Sequence, residues 1–328
     1  MEYVNFYERI HNVKNLKLLA ERICQHYNLG DLIGQKHIEV GYEDFNMEIE
    51  TTTGKYFAKI FNKSRPQREQ MRLAEILKKT VSNQVRTPKI YEVDGDTIFT
   101  VEIENVKLSI ILMEYIDGEN MLFLNRDFRR EELRQVATEM AKIDSIDYKV
   151  EPYYDEWTIT NFKNEYDKKI SKCLKDDKDL ITKVYAEWKK VDFSKFKKAY
   201  VHGDIIKSNL ILDKDDLVWI IDFSVLNYLP RIIELAVSMF GLCMTDTREK
   251  TIDNFNIIIE EYDKHLKIDD YELEQLPNVF NSICAMNVLQ TSFIKNTDET
   301  FEENEHWLTE GRRGINLKFT TKDIRMLN

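Results

Sequence analysis

Two hydrophobic periods divide this chain, and one layer of structure cannot satisfy both. Up to about residue 117 apolar and polar residues alternate over short stretches, the period of strands with one face on a core. Beyond it, apolar residues recur every three or four positions, the period of amphipathic helices. A sheet-containing lobe followed by a larger helical lobe is the expected result. In the first part, Leu16, Leu19, Ile23 and Tyr27 mark a helix over 15–29, stopped by Gly30. Ile38, Val40, Phe45, Met47 and Ile49 then alternate with polar residues, Gly54 turns the chain, and Tyr56–Phe61 follows. Residues 66–80 return to helix, with Met71, Leu73, Ala74, Ile76 and Leu77 as the apolar side, and Pro88 ends the connection. One strand on each side of Asp94-Gly95-Asp96 and the run Leu108–Tyr115 complete a sheet of about five antiparallel strands carrying one helix across it.

From Gly118 onward helices are expected at 129–143, 160–191, 230–243, 251–265 and 271–295. One insert breaks the helical texture: between Tyr200 and Phe223 two apolar runs flank the charged turn Lys214-Asp215-Asp216, which reads as a hairpin with polar residues at the strand ends. The fold class is therefore α+β in two lobes, 1–117 and 118–328.

Composition removes several function classes. The 328 residues include 17 Phe, 16 Tyr and 4 Trp but only 10 Gly and 5 Pro, which excludes a disordered or collagen-like chain. With 58 acidic and 47 basic side chains the net charge is −11, so neither a nucleic acid nor an anionic membrane surface is an expected partner. Apolar runs such as Val218–Ile221 are far shorter than the roughly 20 residues of a membrane span. Met1–Arg9 has no basic segment leading into an apolar core, and a cytoplasmic location is expected. Cys24, Cys173, Cys243 and Cys284 are scattered without a C-x-x-C pair and read as buried thiols. Nothing in the sequence sets an oligomeric state.

The insert carries the chemistry. His202-Gly203-Asp204-Ile205-Ile206-Lys207-Ser208-Asn209 is followed thirteen residues after Asn209 by Asp222. Two carboxylates and a carboxamide at the ends of a hairpin place hard oxygen atoms on one side of a rigid support, with no thiolate among them. That set suits Mg²⁺ with bound phosphates. Phosphoryl transfer needs one Asp to orient and deprotonate the attacking hydroxyl, and an Asp and an Asn to hold metal ions against the phosphates. Asp204 is the expected base, and Asn209 and Asp222 the expected metal ligands. His202 belongs to the same catalytic loop, where bracing by hydrogen bonds suits it better than proton transfer.

At these residues the chain resembles the aminoglycoside phosphotransferase and choline kinase superfamily, small-molecule relatives of the protein kinases. His202, Asp204 and Asn209 match its H-x-D-x-x-x-x-N position by position, and Asp222-Phe223 matches the aspartate that ends its next strand. The resemblance covers about residues 30–245. It implies a bilobal protein-kinase-like fold, with nucleotide binding in 1–117 and catalysis and acceptor binding in 118–328. ATP and Mg²⁺ are the implied cofactors. Lys59 stands in the otherwise apolar Tyr56–Ile60, where an ammonium without a partner is costly to bury. The resemblance makes it the strand lysine on the α and β phosphates, aligned by Glu69, with Glu75 as the second choice. Gly41 and Asn46 match the shortened phosphate loop of the small-molecule kinases, and Met113-Glu114-Tyr115-Ile116 resembles the hinge whose backbone meets the adenine edge. Glu234, in Pro230-Arg231-Ile232-Ile233-Glu234-Leu235-Ala236, replaces the Asp that braces the catalytic loop in the family.

Only six residues separate Phe223 from Pro230 and no A-P-E follows, so a small hydroxylated acceptor is favoured over a protein. Acidic and aromatic residues after 240, namely Glu260, Glu261, Tyr262, Asp263, Glu305 and Trp307, are the candidates for an amine-bearing acceptor such as an aminoglycoside, homoserine or choline. The alternative reading is a nucleotide-binding scaffold without turnover.

Overall fold

The structure is a computed structural model that describes residues 6–39, 41, 43–297 and 302–327. It divides into two compact units, Met1–Gly118 and Glu119–Asn328.

In the first unit, α1 (Leu16–Tyr27) is capped by Asn15, whose side chain accepts the Leu18 N–H at 3.0 Å, and ends at the left-handed Asn28. Strands β1 (Leu32–Ile38), β2 (Phe45–Thr51), β3 (Gly54–Ile60), β4 (Ile98–Ile103) and β5 (Val106–Glu114) form one antiparallel sheet in the order β1-β2-β3-β5-β4. Every second residue of the central strands is buried: Phe45, Met47 and Ile49 on β2, Tyr56, Ala58 and Ile60 on β3, Leu108, Ile110 and Leu112 on β5. These join Leu16, Leu19 and Ile23 of α1 in one core. The second helix, α2 (Gln67–Ser82), buries Leu73, Ala74, Ile76 and Leu77 but leaves Met71, expected on its apolar side, 59% exposed. The strand expected before Asp94 does not form. Ile90 and Val93 make isolated bridges to Met113 and Asp96, because the chain doubles back within four residues. The hairpin turn lies later, at Glu104-Asn105, both with positive φ as a tight two-residue turn requires.

At the start of the second unit β6 (Gly118–Asn120) joins the hairpin β8 (Leu210–Asp213) and β9 (Val218–Ile220) in a three-stranded sheet. Strand β7 (Lys198–Val201) pairs instead with β10 (Asn227–Pro230), Val201 opposite Asn227. The expected hairpin is thus one part of a five-strand arrangement in two small sheets. His202 follows β7, Asn209 precedes β8, and Asp222 follows β9. The helices are α3 (Arg130–Asp144), α4 (Phe162–Lys169), α5 (Lys175–Trp188), α6 (Ile232–Cys243), α7 (Arg248–His265), α8 (Asp270–Thr297) and α9 (Glu302–Asn316). The stretch expected as one helix over 160–191 is split at Ile170–Leu174, where the Leu174 N–H turns to Ser292 Oγ. Helix α9 was not expected. Its Gly311 and Gly314 weaken the helical signal, and both are there for close approach: a Cβ at Gly311 would stand 2.8 Å from Val288 Cγ2, and one at Gly314 would collide with Cys284 Sγ on α8.

Helix α6 is buried on nearly every side and is entered through Arg231, whose guanidinium grips the Glu272 carboxylate by Nε and Nη2, both side chains almost fully buried. All four cysteines are buried thiols. No helix among the described residues is long and apolar enough to cross a membrane.

Candidate active site

The loop between β7 and β8 is held from within. The Asn209 amide donates from Nδ2 to both the carbonyl and the carboxylate of Asp204, at 2.8 and 2.7 Å. The Asp204 N–H donates to His202 Nδ1 at 3.2 Å, so the imidazole proton sits on Nε2, which faces the Ile221 carbonyl at 3.1 Å. The Ile221 N–H returns to the Asn209 carbonyl at 3.0 Å. His202 therefore ties the loop carrying Asp204 to the residue before Asp222. Burial lowers its pKa to about 4, so it is neutral near pH 7 and acts as a brace. Asp222 takes a left-handed backbone (φ 61), rare for a residue with a side chain, and its Oδ1 accepts the Ser224 hydroxyl at 2.7 Å.

Carboxylates crowd around Asp204. Burial, then the charge of Asp222, holds the Asp204 carboxyl well above its ordinary pKa, against the pull of the Asn209 amide. Asp155, on the loop before α4, adds to the repulsion. Behind the loop, the fully buried Glu234 on α6 accepts the Gly203 N–H, which supplies the brace with Glu in place of Asp. Its pKa is pushed up to about 7 by burial. Asp144, also buried, is raised by burial and by Glu234, while Tyr262 donates its hydroxyl to it.

Glu234 therefore binds its proton more tightly folded than unfolded. Its contribution to stability is complete below about pH 4.5 and is lost as pH rises through about 7. Glu234→Gln keeps an oxygen for the Gly203 N–H and removes the titration. The variant is expected to gain on the wild type in melting temperature between pH 5 and pH 8, by the equivalent of a few kcal/mol at about 1.4 kcal/mol per pKa unit. Parallel melting curves across that range would refute the assignment.

In the first unit Lys59 lies on β3, opposite Asn46 on β2 and Ile111 on β5. One carboxylate beside its ammonium is that of Asp44, 3.7 Å away and fully buried, which also accepts the Asn62 N–H at 3.0 Å and faces Arg65 Nε at 3.4 Å. Asp44 was not singled out in the sequence, although its place just before β2, three residues after Gly41, was a signal. Gly41 has φ 97, and a Cβ there would lie 3.2 Å from Asn46 Nδ2; its carbonyl and that of Asp44 both accept from Arg9 Nη1 at 2.8 Å. Gly41, Asn46, Asp44 and Lys59 thus form one neighbourhood. Glu69 is half-buried in the first turn of α2, and Glu75 is exposed. Glu114 ends β5 and gives its N–H to the Lys89 carbonyl at 2.8 Å, while the Tyr115 ring lies 5.5 Å from Lys55 Nζ.

The residues suggested for the acceptor after position 240 are mostly engaged elsewhere. Glu260 pairs with Arg325, Glu261 with Lys264 and His265, Asp263 with Lys267 and the Ile268 N–H, and Glu305 with Lys295. Tyr262 is buried on Asp144, and Trp307 packs on Phe240. The carboxylates whose charge reaches Asp204 are Asp222, Asp155 and Glu234, and of these no periodicity marks Asp155 within Tyr153–Trp157.

The model of the phosphotransferase enzyme family matches residues 34–263. No curated protein matches the sequence. Among solved structures, the chain is similar to an amicoumacin kinase in complex with AMP-PNP, Ca²⁺ and Ami (TM-score 0.67, 11% identity, 95% of this chain and 96% of that one). It is also similar to a microcompartment-associated aminopropanol kinase (0.68, 11%, 93% and 96%). A third is the choline kinase LicA from Streptococcus pneumoniae (0.60, 13%, 92% and 98%).

Proposed function

The chain belongs to the phosphotransferase enzyme family and is a kinase, and from that premise we propose that it transfers the terminal phosphoryl group of ATP to a hydroxyl of a small, amine-containing molecule. The observation that carries this reading is the double tie of the catalytic loop, with Asn209 holding the Asp204 carboxylate and His202 joining the loop to the residue before Asp222. In this reading Asp204 orients the acceptor hydroxyl and takes its proton as oxygen attacks phosphorus. A carboxylate whose proton affinity is raised by its surroundings is better suited to that task than an ordinary one.

Asn209 Oδ1 and the Asp222 carboxylate are the oxygens proposed to hold Mg²⁺. With Nδ2 of Asn209 committed to Asp204, the pair offers hard donors, one of them anionic. Among the described residues no group of three His, Cys, Asp or Glu forms a dedicated metal cage. So sparse a protein set suits an ion that keeps water and phosphate as ligands. Mg²⁺ held there would offset charge on the phosphate oxygens. Lys59, aligned by Glu69, is the proposed anchor of the nucleotide phosphates, with Gly41 and Asn46 at the same loop and the backbone of Glu114 and Tyr115 toward the base.

A cationic acceptor is supported by the negative charge of Asp155 and Asp222 around Asp204. It is supported too by the names of two solved relatives, kinases of choline and of aminopropanol, both amino alcohols. The test is ADP release from Mg·ATP in the presence of choline, ethanolamine, 1-amino-2-propanol, homoserine and spectinomycin, one at a time. Acceptor-dependent release with at least one of them is expected. Tight binding of Mg·ATP with no release on any would favour the scaffold.

A further inference from the structure

Helix α6 touches the catalytic loop at a second place. Gly241 lies seven residues, two helical turns, beyond Glu234, and so presents the same face as the residue that braces Gly203. Its φ is not in the left-handed region, so backbone freedom does not explain a glycine inside this helix. Space does. A Cβ at Gly241 would stand 2.5 Å from Ile206 Cγ2, 3.0 Å from Ile206 Cβ and 3.2 Å from Ile206 Cα. Two of those atoms are at or next to the main chain, which a rotamer change cannot move. Ile206 is in turn bonded to both functional residues of the loop: its N–H donates to the Asp204 carbonyl and its carbonyl accepts the Asn209 N–H, each at 3.0 Å.

We propose that Gly241 is a positioning residue of the kinase, whose bare Cα seats Ile206 and thereby sets where Asp204 and Asn209 stand. Any side chain at 241 pushes the Ile206 backbone off α6, and the two hydrogen bonds carry that shift to the base and to its amide partner. The consequence for turnover rests on the phosphotransfer reading above; the consequence for the loop does not.

Hydrogen exchange of the full chain, read on a peptide spanning 200–210, separates the two. In Gly241→Ala, exchange at Gly203, Asp204 and Asn209 is expected to rise about tenfold or more, while β2, β3 and α8 exchange as in the wild type. Hydrolysis of Mg·ATP, with water in place of the acceptor, is expected to lose about tenfold or more in kcat, with KM for ATP within about twofold. Adding Ile206→Ala removes the nearest clash and is expected to recover a large part of the loop protection, as a coupled pair should. Unchanged exchange in Gly241→Ala would overturn the proposal. So would a double variant no better protected than the single one, or one that fails to fold wherever the single variant fails. Absence of ADP release from the wild type with every acceptor in the screen, with the exchange pattern as expected, would count against the phosphotransfer reading and leave the seating of Ile206 standing.

Discussion

Asp204→Asn is expected to lower kcat by about 10²–10⁴-fold, the span typical of losing a positioned general base, with little change in ATP affinity. The substitution is nearly isosteric. The new amide oxygen still accepts from Asn209, so the loop geometry survives while the proton acceptor is lost. The charge repulsion with Asp222 and Asp155 also disappears, and with it the cost of a carboxylate held well above its ordinary pKa. The variant should therefore melt no lower than the wild type near pH 8. ADP release with the acceptor identified in the screen, beside ATP binding by calorimetry, checks both halves. A variant that turns over within a few-fold of the wild type would remove Asp204 from the role of base.

Glu272→Ala is expected to be the most damaging single change to stability, at about 3–5 kcal/mol, because it strands a buried guanidinium. Arg231 donates to both Glu272 oxygens and to the Lys267 carbonyl, and its side chain is only 6% exposed. Glu272 also accepts the Asp269 N–H at the start of α8, so the same change removes one half of that helix's reciprocal cap and leaves the bond from the residue 272 N–H to Asp269 Oδ1. The pair itself is not irreplaceable. Exchanging both residues for well-packed methionines is expected to cost far less than the single change, since nothing charged is then left unpaired. Denaturant titrations of the two variants measure the difference, and a loss below about 1 kcal/mol in Glu272→Ala would contradict the account.

Both effects converge on α6, and α6 shows what the sequence discloses and what it hides. Its apolar run marks a buried helix, and the catalytic loop before it is marked by fixed spacing, because His202, Asp204, Asn209 and Asp222 stand at strand ends that the apolar pattern itself delimits. The strand and helix periods likewise announce β2, β3, α1 and α2. What depends on contacts between distant positions is hidden. Nothing local says that β7 pairs with β10 rather than with the strand after it, or that Asp44 stands beside Lys59. Helix α9 is obscured for a related reason: the glycines that let it lie against α8 are the residues that lower its own helical preference. The acidic residues of α7 drew attention as acceptor ligands because composition does not reveal partners; Arg325, Lys264 and Lys267 had already claimed them.

The pairing of β10 with β7 has a further consequence. After Phe223 only Ser224, Val225 and Leu226 precede a strand hydrogen-bonded to the one that delivers His202. The chain that follows Asp222 is thereby stitched to the chain that precedes Asp204. At this place there is no length to swing aside, and no stretch that a regulatory phosphate could order or release. Any control of this kinase would have to act by something other than the release of a long segment at this turn.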